Sequence, residues 1–314
     1  LSGSGTLSGG NAFTTENLTE DMISVPTNLY YDGKDRTEYL TTELSTALDK
    51  GITICGQTFT VSGWTLAVTK TDDLHYTATY TNDSDDTKTV QKTITLLQSG
   101  TKFEGGIKTY KDGAECSDFT AGDTITVKAT PTATGDAPQK AAARLRADPT
   151  EGQMVVYVGT TQVSVPADKG EDGSYTMEVS AADVLTKGQA GQDDKYTLIV
   201  KFVENTNMAG AEAQVEITIT PNPLTADMVI LSAESGTYSG TEQKPTVTVT
   251  GLTEGTDYEI TYTGNFTSAG EHTLTVTGKG IYRGTVEKTY TIGKATPTIA
   301  WANNVVTLTY TGQP

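Results

Sequence analysis

The sequence predicts an all-β protein built of tandem sandwiches, with a short helical insertion in the first of them. Three observations predict this class. About a fifth of the 314 residues are threonine, and helix formers are thin outside two short stretches. Threonine suits half-exposed strands, because its branched Cβ favours the pleat and its hydroxyl tolerates water. Apolar and polar residues alternate in many short runs separated by glycine-rich turns, as in "PTVTVTG" (245–251) and "HTLTVTG" (272–278). Finally, the chain repeats itself.

The repeat opens with "LTEDMISVPTNLYYDG" at residue 18 and "LTADMVILSAESGTYSG" at residue 224. Both carry Leu-Thr-x-Asp-Met, and both reach a Tyr-x-Gly, at Tyr31–Gly33 and Tyr238–Gly240. Further on, "LHYTATYT" (74–81) answers "TDYEITYT" (256–263), so Tyr76 and Tyr80 correspond to Tyr258 and Tyr262. Period-two alternation places each pair on one inward face, beside Ala78 or Ile260. A third Tyr-x-Gly, Tyr310 to Gly312, follows Tyr238 by 72 residues, about one small β-domain. The repeated tyrosines and the turn glycines Gly33, Gly240 and Gly312 are therefore the structural residues of the pattern. The chain reads as a piece of a longer array.

The elements follow in order. Residues 1–17, beginning "LSGSGTLSGG", form a linker or the end of a preceding module. Residues 18–97 form the first sandwich. Within it, "TEYLTTELSTALDKG" spaces Leu40, Leu44, Ala47 and Leu48 as on one helix face, which predicts a helix near 38–50 capped by Gly51. "ITICGQTFTVSGWTLAVTK" (52–70) then returns to strands.

Residues 98–221 form a sandwich of another type. "FTAGDTITVKATPTAT" is a turn and strand, and "APQKAAARLRADPT" is a loop or brief helix stopped by Pro149. "QMVVYVGTTQVSV", "GSYTMEVSAADVL", "DKYTLIVKFVEN" and "AEAQVEITITP" are strands, the third with Tyr196, Leu198, Val200 and Phe202 in one inward row. Pro221 and Pro223 bracket the exit as in a short stiff linker. Residues 222–295 form the second copy of the repeat. There Val247, Val249, Leu274, Val276, Val286, Tyr290 and Ile292 point inward, and Lys288 interrupts the last row near an edge. Residues 296–314 are the first strand of a truncated next repeat.

Composition excludes several partners. With a formal charge of −17, no basic field exists to displace phosphate counterions, which argues against nucleic acid and against anionic lipid. No apolar run approaches the ~18–20 residues of a membrane span. Two cysteines, Cys55 and Cys116, make no disulfide framework, and their separation in sequence predicts that both are unpaired. The acidic surface predicts a soluble monomer.

The residue chemistry yields no catalytic site. A nucleophilic triad needs a histidine with an orienting acid, and His75 and His272, the only histidines, read as outward strand residues. "GKGIYRG" joins two strands, whereas a phosphate loop needs a following helix N-terminus. Calcium is the one cofactor with candidates. "TNDSDDTK" gathers Asn82, Asp83, Asp85 and Asp86, and "DKGEDG" gathers Asp168, Glu171 and Asp172, neither with EF-hand spacing. For sugar binding, an exposed Trp64 with Tyr30 or Tyr31 would make an aromatic platform; the alternative is that Trp64 and Trp301 alternate into cores.

Stretches 154–221 and 222–295 resemble bacterial immunoglobulin-like repeat domains of Gram-positive, gut Firmicute-type cell-surface proteins. The resemblance rests on "MVVYVGTTQVSV", "GSYTMEVSAADV", "DKYTLIVKFVENTNMAGAEAQVEITITP", "YSGTEQKPTVTV" and "DYEITYTGNFTSAGEHTLTVTGKGIYRGT". It implies tandem immunoglobulin-like sandwiches on the outside of the bacterial cell, with the signal and the wall anchor outside this segment. The implied function is a non-catalytic stalk supporting adhesion, with host glycan or protein held by other modules. A rival reading makes the first module itself a carbohydrate- or host-ligand-binding adhesin.

Overall fold

The structure, a computed structural model, describes residues 13–15, 18–54, 57–138 and 152–298, with the backbone alone at 13–15, 52–54 and 57–60. Cys55, most of the expected 137–150 loop, Trp301, Tyr310 and Gly312 lie outside the described residues. The described chain is mostly strand, in several sheets that form sandwich-like units, with a short early helix. Cα proximity divides it into two compact units, Leu1–Ile219 and Thr220–Pro314.

In the first unit, β1 (Phe13–Thr15), β2 (Ile52–Ile54) and β3 (Gln57–Val61) make a small sheet in the order β1-β3-β2. Helix α1 spans Thr37–Asp49, as the leucine spacing predicts. Leu40 and Leu44 are buried, and Gly51, at φ +83°, turns the chain out of it. Strands β4 (Trp64–Lys70), β5 (His75–Asn82) and β6 (Asp85–Thr95) form an antiparallel meander with β5 in the centre. Tyr76, Ala78 and Tyr80 of β5 are buried with Leu18, Ile23, Leu40, Leu44 and Ile94, which gives residues 18–96 a core of their own.

Two further sheets follow. β8 (Lys108–Lys111), β9 (Ala114–Glu115), β11 (Thr124–Ala129) and β15 (Tyr175–Ser180) pair in the order β15-β11-β8-β9. β10 (Asp118–Thr120), β13 (Met154–Val158), β14 (Thr161–Gln162), β16 (Lys195–Phe202) and β17 (Ala211–Thr220) pair as β10-β17-β16-β13-β14. β7 (Thr101–Phe103) and β12 (Pro131–Ala133) pair separately. The inward row Tyr196, Leu198, Val200 and Phe202 is buried throughout, as alternation requires.

One element departs from expectation. "GSYTMEVSAADVL" does not continue as strand; it bends at Ser180 into α2, Ala181–Lys187. Ala181, Val184 and Leu185, at helical spacing, are the residues it buries. A short apolar run cannot by itself distinguish a strand from one buried helix face.

In the second unit, β19 (Val229–Leu231) pairs with β21 (Val247–Val249). β20 (Ser235–Thr237), β22 (Tyr258–Thr263), β23 (Gly270–Gly278) and β25 (Thr285–Gly293) run in the order β20-β25-β23-β22, with β20 parallel to β25. β18 (Asn222–Pro223) pairs in parallel with β24 (Tyr282–Arg283), so Asn222 and Pro223 belong to the fold of this unit rather than to a free linker. Val247, Val249, Leu274, Val276, Val286, Tyr290 and Ile292 are all buried. Lys288 lies where β25 is paired on one side only, since β20 reaches no further than Thr291.

Candidate functional site

Two of the repeated motifs make the same local hydrogen bonds in both copies. In each Leu-Thr-x-Asp-Met, the methionine N–H closes a turn on the threonine carbonyl, Met22 on Thr19 at 3.0 Å and Met228 on Thr225 at 3.2 Å. The flanking apolar residues, Leu18 and Ile23 or Leu224 and Val229, are buried. In each Tyr-x-Gly, the tyrosine N–H donates to a carbonyl at or just beyond the end of the copy's last strand. Tyr31 reaches Leu97 O at 3.0 Å and Tyr238 reaches Gly293 O at 2.8 Å. Gly33 and Gly240 both stand at φ near +80°, in open space, so backbone conformation is what requires glycine there. The motif is a closing clasp between an early segment and the end of a copy.

The Tyr31 end of the first module is the more elaborate. The Arg36 guanidinium grips Asp32 with Nε and Nη2 at 3.2 and 2.7 Å, and lies over the Tyr39 ring at 5.4 Å. The Arg36 N–H donates to the Tyr76 hydroxyl at 2.9 Å, tying the start of α1 to the fully buried Tyr76. Lys70 Nζ pairs with Asp73 at 3.0 Å, and this hydrogen bond raises the Lys70 pKa. Burial, and then the charge of Asp73, hold the Tyr31 hydroxyl above its ordinary pKa, opposed by a hydrogen bond with Asn207.

Of the expected platform, Trp64 is half-buried against the core of the first module, and its indole Nε1 is buried with no hydrogen-bond partner among the described residues. It pairs with Asn82 at one end of the β4–β5 ladder, whereas Tyr31 neighbours Lys70 and Asp73 at the other. Six strand steps separate the ends, about 20 Å. Tyr30 stays with Tyr31, bridged to Leu97. The structure thus does not assemble one platform from the three; it places Trp64 beside the acidic hairpin tip instead.

That tip is a two-residue turn, Asp83-Ser84, between Asn82 and Asp85. Its carboxylates are engaged locally. Asp83 accepts the Thr65 hydroxyl at 2.7 Å, and Asp85 accepts the Thr87 hydroxyl at 2.6 Å, which lowers the Asp85 pKa. The Asn82 side chain accepts the Ser84 N–H at 3.0 Å. Asp85 and Asp86, adjacent on a strand, point to opposite faces. In the second acidic loop Asp168 accepts Gln153 Nε2 and Asp172 caps Ser174. Among the described residues, no group of three or more His, Cys, Asp or Glu is placed to hold a metal ion.

The nucleophile chemistry is equally dispersed. His75 Nδ1 pairs with the exposed Asp72 at 2.9 Å, and His272 Nε2 meets Ser268 O at 2.7 Å while its ring packs on Phe266. Cys116 is a free, half-buried thiol. No catalytic constellation is assembled from these groups. Among the described residues, no helix is long and apolar enough to cross a membrane.

Neither a family model nor a curated protein matches the chain. Solved structures do match in part. The sialic-acid-binding region of a Streptococcus sanguinis adhesin is 13% identical over 88% of this chain and 68% of its own, with a TM-score of 0.26. The N-terminal Ig1-2 module of a Drosophila receptor protein tyrosine phosphatase is 10% identical over 63% of this chain and 100% of its own, at 0.21. A bacterial ice-binding adhesin is 14% identical over 70% and 73%, at 0.24. At such scores the likenesses carry no argument about what this chain does.

Proposed function

We propose that this chain is a non-catalytic spacer made of tandem immunoglobulin-like modules, part of a larger protein on the outside of a bacterial cell. The division into modules at 18–97, 98–221 and 222–295 belongs to the same proposal. One observation carries it: the clasp between an early segment and the end of a copy recurs in two copies with the same turn, the same hydrogen bond and the same left-handed glycine. What recurs is the device that closes a module, and the polar side chains around it serve local ion pairs and turns. The placement on a Gram-positive surface rests on sequence resemblance alone.

The test sets the spacer against the rival reading, a ligand-binding first module. In a Trp301→Phe background, Trp64 fluorescence is titrated with sialylated, mucin-type and plant-wall glycans. The spacer reading expects no saturable change. A saturable shift would replace it with the adhesin reading.

A further inference from the structure

The chain passes from its first module to its second without a free residue. Leu97 is still held by the first, its N–H on Leu29 O at 2.8 Å and its carbonyl accepting the Tyr31 N–H. The residues after it are already bonded to the second. Gln98 Nε2 donates to Asn205 O at 2.7 Å, Ser99 N to Asn207 O at 3.0 Å, and Gly100 N to Asp136 O at 2.9 Å. In return Ala209 N donates to Ser99 O at 2.8 Å, and the Thr101 hydroxyl donates to Ala209 O at 2.6 Å.

A flexible linker leaves its backbone to water. Here Ser99 is fully buried, and its hydroxyl accepts the Gly135 N–H at 3.0 Å. The receiving loop is also braced from within, because the Asn205 carboxamide oxygen accepts the N–H groups of Asn207 and Met208 at 3.0 and 2.8 Å.

Two further approaches cross between these parts beside the covalent connection. Asn207 Nδ2 donates to Asp73 Oδ2 at 3.2 Å, on the β4–β5 turn of the first module. At Gly135, φ +80°, a Cβ would stand 3.2 Å from that of Asp32, so the modules approach closely on that flank. The Asn207–Asp73 bond adds a side-chain tie to the covalent link and so restrains twisting about it.

We infer that segment 97–101 and loop 205–209 form a locked joint that fuses residues 18–97 and 98–219 into one stiff body, with Asn207 latching the β4–β5 turn. The joint stands or falls separately from the spacer reading, since a binding module could be held as stiffly.

Native-state hydrogen exchange on the whole chain, resolved by peptide, tests it. Peptides covering 97–101 and 205–209 are expected to exchange within about thirtyfold of the β5 and β16 peptides. Asn207→Asp, which sets a carboxylate against Asp73, is expected to speed exchange in both segments at least ~tenfold and to leave β22 and β23 unchanged. Asp73→Asn, which weakens the same bond from its other partner, gives the same pattern with smaller amplitude and serves if Asn207→Asp does not fold. Wild-type exchange at 97–101 faster than that thirtyfold limit, or variants that leave both segments unaltered, would overturn the joint.

Discussion

The two copies of the repeat share their ends and differ in their middles. From Gly33 to Tyr76 the first copy runs 43 positions, whereas the second needs 18 from Gly240 to Tyr258. The extra length holds α1, β2, β3 and β4. Its consequence is a change of partners. In the first copy β4 pairs with β5, which becomes the centre of a meander under α1. In the second, β21 pairs with β19 and β22 is left at a sheet edge. Tyr80 is consequently 1% exposed, while its counterpart Tyr262 is half-buried and reaches out to hydrogen-bond Pro245 O. An insertion can re-pair a strand without disturbing the clasp that closes the module, because the clasp uses backbone bonds between an early segment and the end of the copy.

The largest expected effect probes that difference. Tyr80→Ala should cost about 3–5 kcal/mol by emptying a fully enclosed site, and Tyr262→Ala about 2 kcal/mol, since only part of its ring leaves water. Urea unfolding followed by peptide-resolved exchange would assign each loss to its module. Equal losses would mean that edge and centre are energetically alike, and the comparison would break.

Next is the insertion itself. Leu44→Ala, at a buried position of α1, should cost about 2–5 kcal/mol in the first copy. The same exchange measurement should show no change in β22, β23 and β25.

A smaller effect tests what the copies share. Gly33→Ala and Gly240→Ala should each cost about 1–2 kcal/mol, the two values agreeing closely, because both sites require the left-handed region and neither is crowded. Thermal unfolding of each variant reads this, and a large inequality would mean that the clasps are not equivalent.

The smallest effect concerns the turn before the tyrosine strand. Asp72 accepts the Leu74 and His75 N–H groups at 2.8 Å each, and these, led by Leu74 and joined by the His75 ring, lower its pKa. A depressed carboxylate stabilises the folded state above its ordinary value, and the contribution fades as pH falls through the lowered one. Amides 72–75 should therefore exchange faster relative to β5 as pH is taken from about 5 to 3.

Much of this was legible in the chain. Alternation located the buried valines and leucines of β21, β23 and β25, and helical spacing located α1, because periodicity is a local property. The repeat could be read from Leu-Thr-x-Asp-Met and Tyr-x-Gly, although nothing local says that the tyrosine's N–H, more than its ring, is what closes the module. The aromatic platform was not legible. Trp64, Tyr30 and Tyr31 are near in composition but lie at opposite ends of one strand pair, and which end each occupies is set by pairing. The role of Asn207 was hidden for the same reason, since its partner Asp73 is 134 positions away. "NTNM" reads only as a turn.

By itself, then, the order of residues determined most of the strands and α1, though not α2, which faces turn inward, and that a closing device is used twice. Those follow from steric preference and from the hydrophobic effect acting at short range. Only the tertiary structure decided that β4 joins β5 while β21 leaves β22 at an edge, and that Asn207 bonds Asp73 across 134 positions. Both are contests between alternative long-range pairings, and such contests are settled by which arrangement leaves the fewest backbone groups unpaired.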